Sequence, residues 1–325
     1  MGNGLKGYEA LLVVSFGGPE GMDDVMPFLE NVLRGRNVPR ERMLQVARQY
    51  ELFGGVSPIN QQNRELIAAL EKELARNGPR LPIYWGNRNW HPMLVDTIRQ
   101  MASDGIRNAI AFVTAAYSSY SSCRQYRQNI SDAQEQVGPT APRVEKLRAF
   151  YNHPLFIEAN VDHIRAAWSQ LNDQRTAHLV FTAHSIPESM AANCDYVAQL
   201  TETGSLIAHA LSIENWQLVY QSRSGSPSQP WLGPDISDHL RDLRSTGVTE
   251  VVVAPIGFVS DHMEVVYDLD VKAREVADEI GVNLVRARTA GTHPAFVRMI
   301  RELVVERMEN LVPPSICAPN CCLHE

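Results

Sequence analysis

The feature that most constrains the fold is a repeated plan: short apolar runs ended by Gly, Pro or Ser alternate with longer segments of helical period. That alternation is the mark of α/β proteins built on parallel sheets. The runs predict strands over residues 10–16, 81–84, 109–114, 178–182, 217–221, 250–255 and 283–286. Several are apolar at nearly every position, as strands covered on both faces must be. Helices are predicted over residues 60–77, 155–171, 236–245, 263–279 and 295–310. In the first of these, Leu66, Ile67, Leu70 and Leu74 share one side and Arg64, Glu65, Glu71 and Lys72 the other, so one face is apolar and one polar. Gly78, Gly105, Gly247 and Gly281 stand where helices should stop.

The stretch 136–152, with Gly138, Pro139 and Pro142 followed by His153-Pro154, breaks this pattern. It sets an expected domain boundary near residue 152, giving domains over 1–152 and 153–310 and a tail over 311–325. Both halves follow the same strand–helix plan, and two open parallel sheets facing each other leave a central cleft at the carboxyl ends of their strands, where such folds bind ligands.

The chain has 325 residues, 44% of them hydrophobic, which suffices for two real cores. With 37 acidic against 30 basic side chains, a net charge of -7 and no Lys/Arg block, the surface is not built to neutralise nucleic-acid phosphates or anionic lipid. A small-molecule substrate is expected, and no nucleic acid. The apolar runs fall far short of the ~20 residues that span a bilayer, and no basic stretch with an apolar run behind it opens the sequence, so the expected location is the cytoplasm.

Chemistry-bearing residues gather where strands end. The first strand runs into Ser15-Phe16-Gly17-Gly18-Pro19, which lacks the G-x-G-x-x-G spacing of a dinucleotide site. The fourth runs into Ala183-His184-Ser185-Ile186-Pro187. An imidazole at the carboxyl end of a buried strand can take or give a proton near neutral pH, or simply be a structural histidine bonded to backbone. In residues 251–270 an apolar strand stops at Pro255 and Gly257, Ser260-Asp261 is placed to cap a helix beginning near His262, and Glu264 falls in its first turn. There Glu264 is either a functional carboxylate or only a helix N-terminal charge; Asp268 and Asp270 extend the negative charge. One His and one Glu from two strand ends suit proton transfer or a divalent cation. The run from Tyr117 to Cys123, with Tyr126, offers hydroxyls and rings that suit a flat amphiphilic ligand, or is a Ser-rich turn with two core tyrosines.

Read together, the segments LLVVSFGGPE, PFLENVLRGRNVP, FGGVSPIN, YWGNRNW, AAYSSYSSCRQY, FTAHSIP, YQSRSG, PWLGPD and PIGFVSDHMEVVYDLD resemble the ferrochelatase family over nearly the whole chain. The SFGGPE opening, the SSYSSCRQY segment and the cysteine-bearing tail look most like its actinobacterial branch, similar to enzymes acting on coproporphyrin III rather than protoporphyrin IX. The resemblance implies a class II chelatase-like α/β fold of two Rossmann-like domains and insertion of Fe2+ into a porphyrin with release of two protons. It implies that His184 and Glu264 are the catalytic pair and the residues meeting the substrate Fe2+. It also implies porphyrin contacts at Ser57, Tyr126, Arg34 and Tyr50, the last two toward propionates. Where several coproporphyrin-type relatives have a Tyr able to ligate product iron, this chain has Phe16, which has no donor atom.

Of five cysteines, Cys317, Cys321 and Cys322 crowd into the last nine residues, beside prolines, where there is no core to fill. Three such thiols look like ligands, and a [2Fe-2S] cluster needs four thiolates. The resemblance, in which cysteine-bearing relatives carry one in the segment after His184, implies Cys194 as the fourth, so the expected set is Cys194, Cys317, Cys321 and Cys322, leaving out Cys123 of the expected substrate wall; a zinc site and unligated thiols are the alternatives. Competing functions are protoheme formation from protoporphyrin IX, cobalt or nickel insertion into a more reduced tetrapyrrole, and a non-catalytic porphyrin or haem carrier, which would be expected to have lost His184 or Glu264. Transient contact with haem-pathway enzymes is expected; whether the chain is a monomer or a dimer is not legible.

Overall fold

The computed structural model describes residues 7–35, 38–224, 228–311 and 321–323. Among them are β1 (Ala10–Ser15), β2 (Ile83–Asn87), β3 (Asn108–Val113), β4 (Arg143–Lys146), β5 (His178–His184), β6 (Trp216–Gln221), β7 (Glu250–Ala254) and β8 (Asn283–Arg286). They make two parallel four-stranded sheets, in the orders β2-β1-β3-β4 and β6-β5-β7-β8. The class is α/β, as the alternating pattern predicts.

Described residues divide into two compact units: one within 1–114, 125–148 and 300–316, the other within 115–124, 149–299 and 317–325. No single cut near residue 152 separates them, because 115–124 cluster with the second unit and the end of the last helix, from residue 300, with the first.

Each sheet follows the same path. The chain enters at an inner strand, moves to one neighbour, then returns to the other side, so the order reverses between β1 and β3 and between β5 and β7. In open parallel sheets, ligands bind outside the carboxyl ends of the strands at such a reversal. The central strands are sealed: β1 and β7 are buried at every residue, and β5 at all but its ends. Beneath the second sheet, Val180, Val219, Val251 and Val253 pack with Leu240, Leu269 and Ala277 from its helices.

Two departures from the expected elements have clear causes. β4 lies inside the stretch read as a break; its sequence Arg-Val-Glu-Lys is mostly charged and sits at a sheet edge, where charge discourages further pairing and conceals the strand's pattern. The helix expected over 263–279 is composite: an α-turn at Met263–Val265, a π-helical stretch at Val266–Ala273 and an α-helix at Arg274–Ile280. It ends at Gly281, whose φ of 69° and ψ of 45° are left-handed, a conformation glycine adopts without a Cβ penalty.

Candidate active site

His184 is the last residue of β5 and is paired in register with Gln221, the last of β6. Glu264 lies in the first turn of the helix that follows β7. The two therefore arrive from both sides of the second sheet's reversal point, with His184 Nε2 3.3 Å from Glu264 Oε2. His184 Nδ1–H donates to the carbonyl of Ser185 at 2.5 Å. With Nδ1 so engaged, Nε2 is the nitrogen that gains and loses the proton, and it faces the carboxylate. The side chains are 31% and 50% exposed respectively, so both are reachable.

Burial by itself lowers the imidazole's pKa, but the hydrogen bond to Glu264 and its charge outweigh that and raise it above the ordinary value. For Glu264 burial acts upward, yet the hydrogen bond and charge of His184, with His262 and Lys272, hold it down to about 2. With half of the carboxylate in solvent, the pairing sets its titration. At neutral pH the pair is an imidazolium–carboxylate or one proton short of it.

The backbone around the pair is fixed by buried groups. Tyr196 Oη donates to the His184 carbonyl at 3.0 Å, and Tyr117 Oη to that of Ile256 at 2.9 Å. The two rings meet edge-on with centroids 6.1 Å apart. Tyr117 is thus a core tyrosine that braces the loop after β7. Gly257 N–H donates to the Thr182 carbonyl at 3.0 Å. Gln221 is 1% exposed, and its amide donates to the Glu264 carbonyl at 3.4 Å.

The helix start differs from the expected Ser260-Asp261 cap. His262 is the cap: its Nδ1 accepts from the Glu264 and Val265 N–H groups at 3.1 and 3.3 Å. Asp261 pairs with Arg286. The acidic run is also less free than its sequence suggests: Asp270 pairs with Arg286, and Asp268 pairs with Lys272 at 3.2 Å and accepts from Ser222 Oγ. Sequence reasoning missed Arg286, Gln221 and Ser222; each closes or follows a strand, the one signal that would have singled them out.

The remaining candidates fall in the first unit. Tyr50 is buried and edge-on to Phe28, which also meets Phe16 and Trp90 with centroids 6.1–6.3 Å apart. Tyr126 is buried under the Arg88 guanidinium, 4.5 Å from its ring, and Arg88 also lies 5.5 Å from the Phe16 ring. Burial pushes the Tyr126 phenol up. Ser57 is 3% exposed and lies against Gly18. Arg34 is exposed and donates to Asn31 Oδ1. Tyr50 and Tyr126 therefore join one aromatic group through Phe28, Phe16 and Arg88. Arg88, in the YWGNRNW segment, was not singled out from the sequence.

Cys317 lies outside the described residues. The other cysteines, Cys123, Cys194, Cys321 and Cys322, are free thiols belonging to the second unit. Cys321 and Cys322 Sγ are 3.5 Å apart, and the Cys322 thiol is pushed up by burial, by its hydrogen bond with Cys321, and by Cys123 and Cys194. Cys194 Sγ–H donates to the Met190 carbonyl at 3.3 Å. Among the described residues no three His, Cys, Asp or Glu side chains are arranged to hold a metal ion. The set Cys194, Cys321 and Cys322 is thus gathered in one region without being closed into a site, and Cys123, set aside from sequence, shares that region.

The profile of the ferrochelatase family matches residues 8–308. A protein of Rhodopirellula baltica named ferrochelatase is 54% identical over 98% of this chain and 95% of its own length. Proteins named coproporphyrin III ferrochelatase from Nocardia farcinica and Streptomyces griseus are 49% and 52% identical, over 97% and 92% of this chain and 96% and 85% of theirs. In fold, the chain is similar to the sirohydrochlorin chelatase SirB of Bacillus subtilis subspecies spizizenii, with a TM-score of 0.54 and 13% identity over 93% of this chain and 96% of that one. It is likewise similar to CbiX, with a TM-score of 0.53 and 14% identity over 91% and 98%. The chain belongs to the ferrochelatase family.

Proposed function

We propose that this chain inserts Fe2+ into coproporphyrin III, in the cytoplasm, to give coproheme and two protons. The observation that carries the chemistry is the His184–Glu264 pair at a sheet reversal point, 3.3 Å apart and open to solvent. Metallation removes two pyrrole N–H protons while a dication enters. Neutral His184 accepts at Nε2, because Nδ1 already donates to Ser185, and Glu264 stabilises the imidazolium formed and offers an anionic oxygen to proton or metal. His184 and Glu264 are also the side chains that would meet the substrate Fe2+. The relatives' names supply the porphyrin.

For the porphyrin, Arg34 is the exposed cation for a propionate. Tyr50, Ser57 and Tyr126, all buried, are the further porphyrin contacts of this reading. Supply of porphyrin and removal of product by transient contact with haem-pathway enzymes completes the reading.

The cofactor we propose for the thiols is a [2Fe-2S] cluster on Cys194, Cys317, Cys321 and Cys322; what supports it is the gathering of Cys194, Cys321 and Cys322 in the second unit. It has a structural or sensing role, and no step of metal insertion passes through it. The isolated protein should be brown, and Cys317→Ser and Cys194→Ser should bleach it while Cys123→Ser does not. A colourless, iron-free wild type removes the cluster, and bleaching by Cys123→Ser alone of the two internal variants moves the fourth ligand to Cys123.

The name of the Rhodopirellula relative, ferrochelatase, specifies no porphyrin, and protoporphyrin IX is the alternative the assay must exclude. Anaerobic assays with Fe2+ and each porphyrin, followed by absorbance, separate the two. Faster metallation of coproporphyrin III is expected; preference for protoporphyrin IX overturns the substrate, and no metallation of either overturns the function in favour of a carrier.

A further inference from the structure

We infer that Arg286 is a positioning residue that sets where Glu264 stands relative to His184; this deepens the proposed function and rests on it. Arg286 closes β8 and pairs in register with Val253 of β7. Its guanidinium holds two carboxylates at once. Nη1 and Nη2 donate to Asp261 Oδ1 and Oδ2 at 3.1 and 3.2 Å, and Nε and Nη2 donate to Asp270 Oδ1 and Oδ2 at 2.6 and 2.9 Å. The Arg286 and Asp261 side chains are each only 17% exposed, and that of Asp270 35%, so the contacts are shielded from solvent.

The placement of those acids gives the clamp its meaning. Asp261 precedes Glu264 by three residues and Asp270 follows it by six, on the π-helical stretch. One planar cation thus grips the segment bearing Glu264 on both sides and ties it to a sheet edge whose backbone is fixed by hydrogen bonds. From the opposite side Gln221 donates to the Glu264 carbonyl and Ser222 to Asp268. Glu264 sits in the first turn of the composite helix that runs on through Ile280, the end where backbone N–H groups have no intrahelical acceptors, and these attachments anchor that end. Only a guanidinium has the fork of donors that serves two carboxylates bidentately; an ammonium has the charge without the geometry.

The test uses Arg286→Lys and Asp270→Asn in the full chain. Folding is checked by near-ultraviolet circular dichroism and thermal melting. Displacement of a reacting group by about an ångström costs on the order of 100-fold in rate. For folded Arg286→Lys, kcat for iron insertion is therefore expected to fall roughly 10–100-fold with KM for porphyrin little changed. A merely structural loss would instead lower the active fraction and leave kcat per folded molecule intact. Asp270→Asn removes one arm only and is expected to show the same split more weakly; it decides the matter if Arg286→Lys does not fold. A readout independent of turnover is the ring nitrogen NMR signal of labelled His184 at fixed pH, expected to move toward its position in Glu264→Gln. If wild type inserts no iron but the His184 signal moves, the functional reading fails and the positioning stands. If folded Arg286→Lys keeps both kcat and the His184 signal, the positioning is wrong.

Discussion

Gly257 lies so close to Ala183 that a Cβ on it would stand 2.6 Å from the Ala183 Cα and Cβ. The loop leaving β7 is thus pressed onto the backbone next to His184, and the contact is with main chain, which cannot turn aside. Gly257→Ala is expected to destabilise the protein by about 1–3 kcal/mol through overpacking. It should also lower kcat more than melting alone accounts for, because the strain falls one residue from the imidazole. Melting temperature together with activity per folded molecule checks this; unchanged values for both contradict it.

Removing the imidazole separates its chemistry from the fold. His184→Ala deletes a partly exposed ring at a strand end, so the protein should fold and bind porphyrin. Metallation should drop by roughly 100- to 10,000-fold, the range of a general acid–base group. Anaerobic absorbance changes with Fe2+ and coproporphyrin III read the outcome, and normal turnover would show that another base serves.

The pair also sets a pH dependence. A proton is accepted only by neutral Nε2, so kcat should rise with pH through a value above the ordinary 6.5, since the Glu264 interactions outweigh the lowering by burial. Glu264→Gln removes the carboxylate's effect, leaves burial, and should move that limb to lower pH in a rate–pH profile; a limb that stays in place disproves the coupling.

Stability follows by linkage. The raised His184 pKa contributes below 6.5 and is lost as pH rises through the folded value. The depressed Glu264 pKa contributes above 4.5 and is lost as pH falls toward about 2. The difference in unfolding free energy between wild type and the variant carrying both His184→Ala and Glu264→Gln should therefore be largest between pH 4.5 and 6.5. Solvent screening of the exposed carboxylate keeps it small. Denaturant titrations across pH test the window.

In the first unit, Arg307 is 5% exposed and paired with Glu145, which also accepts from Tyr8 Oη. Burial first, then Glu145, pushes the Tyr8 phenol up to about 12. Glu145→Ala removes the charge partner of this buried guanidinium, which keeps a bond to Asn310 Oδ1 at 3.4 Å, and is expected to cost about 3–5 kcal/mol, read by denaturant midpoint.

Every strand but β4 is legible in the sequence, and most plainly the sealed ones: β1, β5 and β7 are buried at nearly every residue and read as unbroken apolar runs. β4 escapes because an edge strand with one exposed and three half-buried residues carries no such pattern. His184 is legible as a polar residue at the end of an apolar run, and Glu264 as a carboxylate in the first turn of the helix that follows one. The clamp on Glu264 is not, because Arg286 and Asp261 are 25 residues apart and only strand order brings them together. In the tail, spacing marks Cys317, Cys321 and Cys322 as a group but is silent on which internal thiol lies near, and Cys123 and Cys194 both do.

The π-helical stretch at Val266–Ala273 makes segment length itself a determinant of the site. An α-helix turns by about 100° per residue, and a wide turn is an α-helix holding an extra residue. Deleting one residue there would let the helix rewind and rotate Asp270 roughly 100° around the axis from the side it shares with Arg286. The composition of this stretch is therefore freer to change than its residue count: side chains on its outer side can vary, while a single insertion or deletion would uncouple the acid from its anchor.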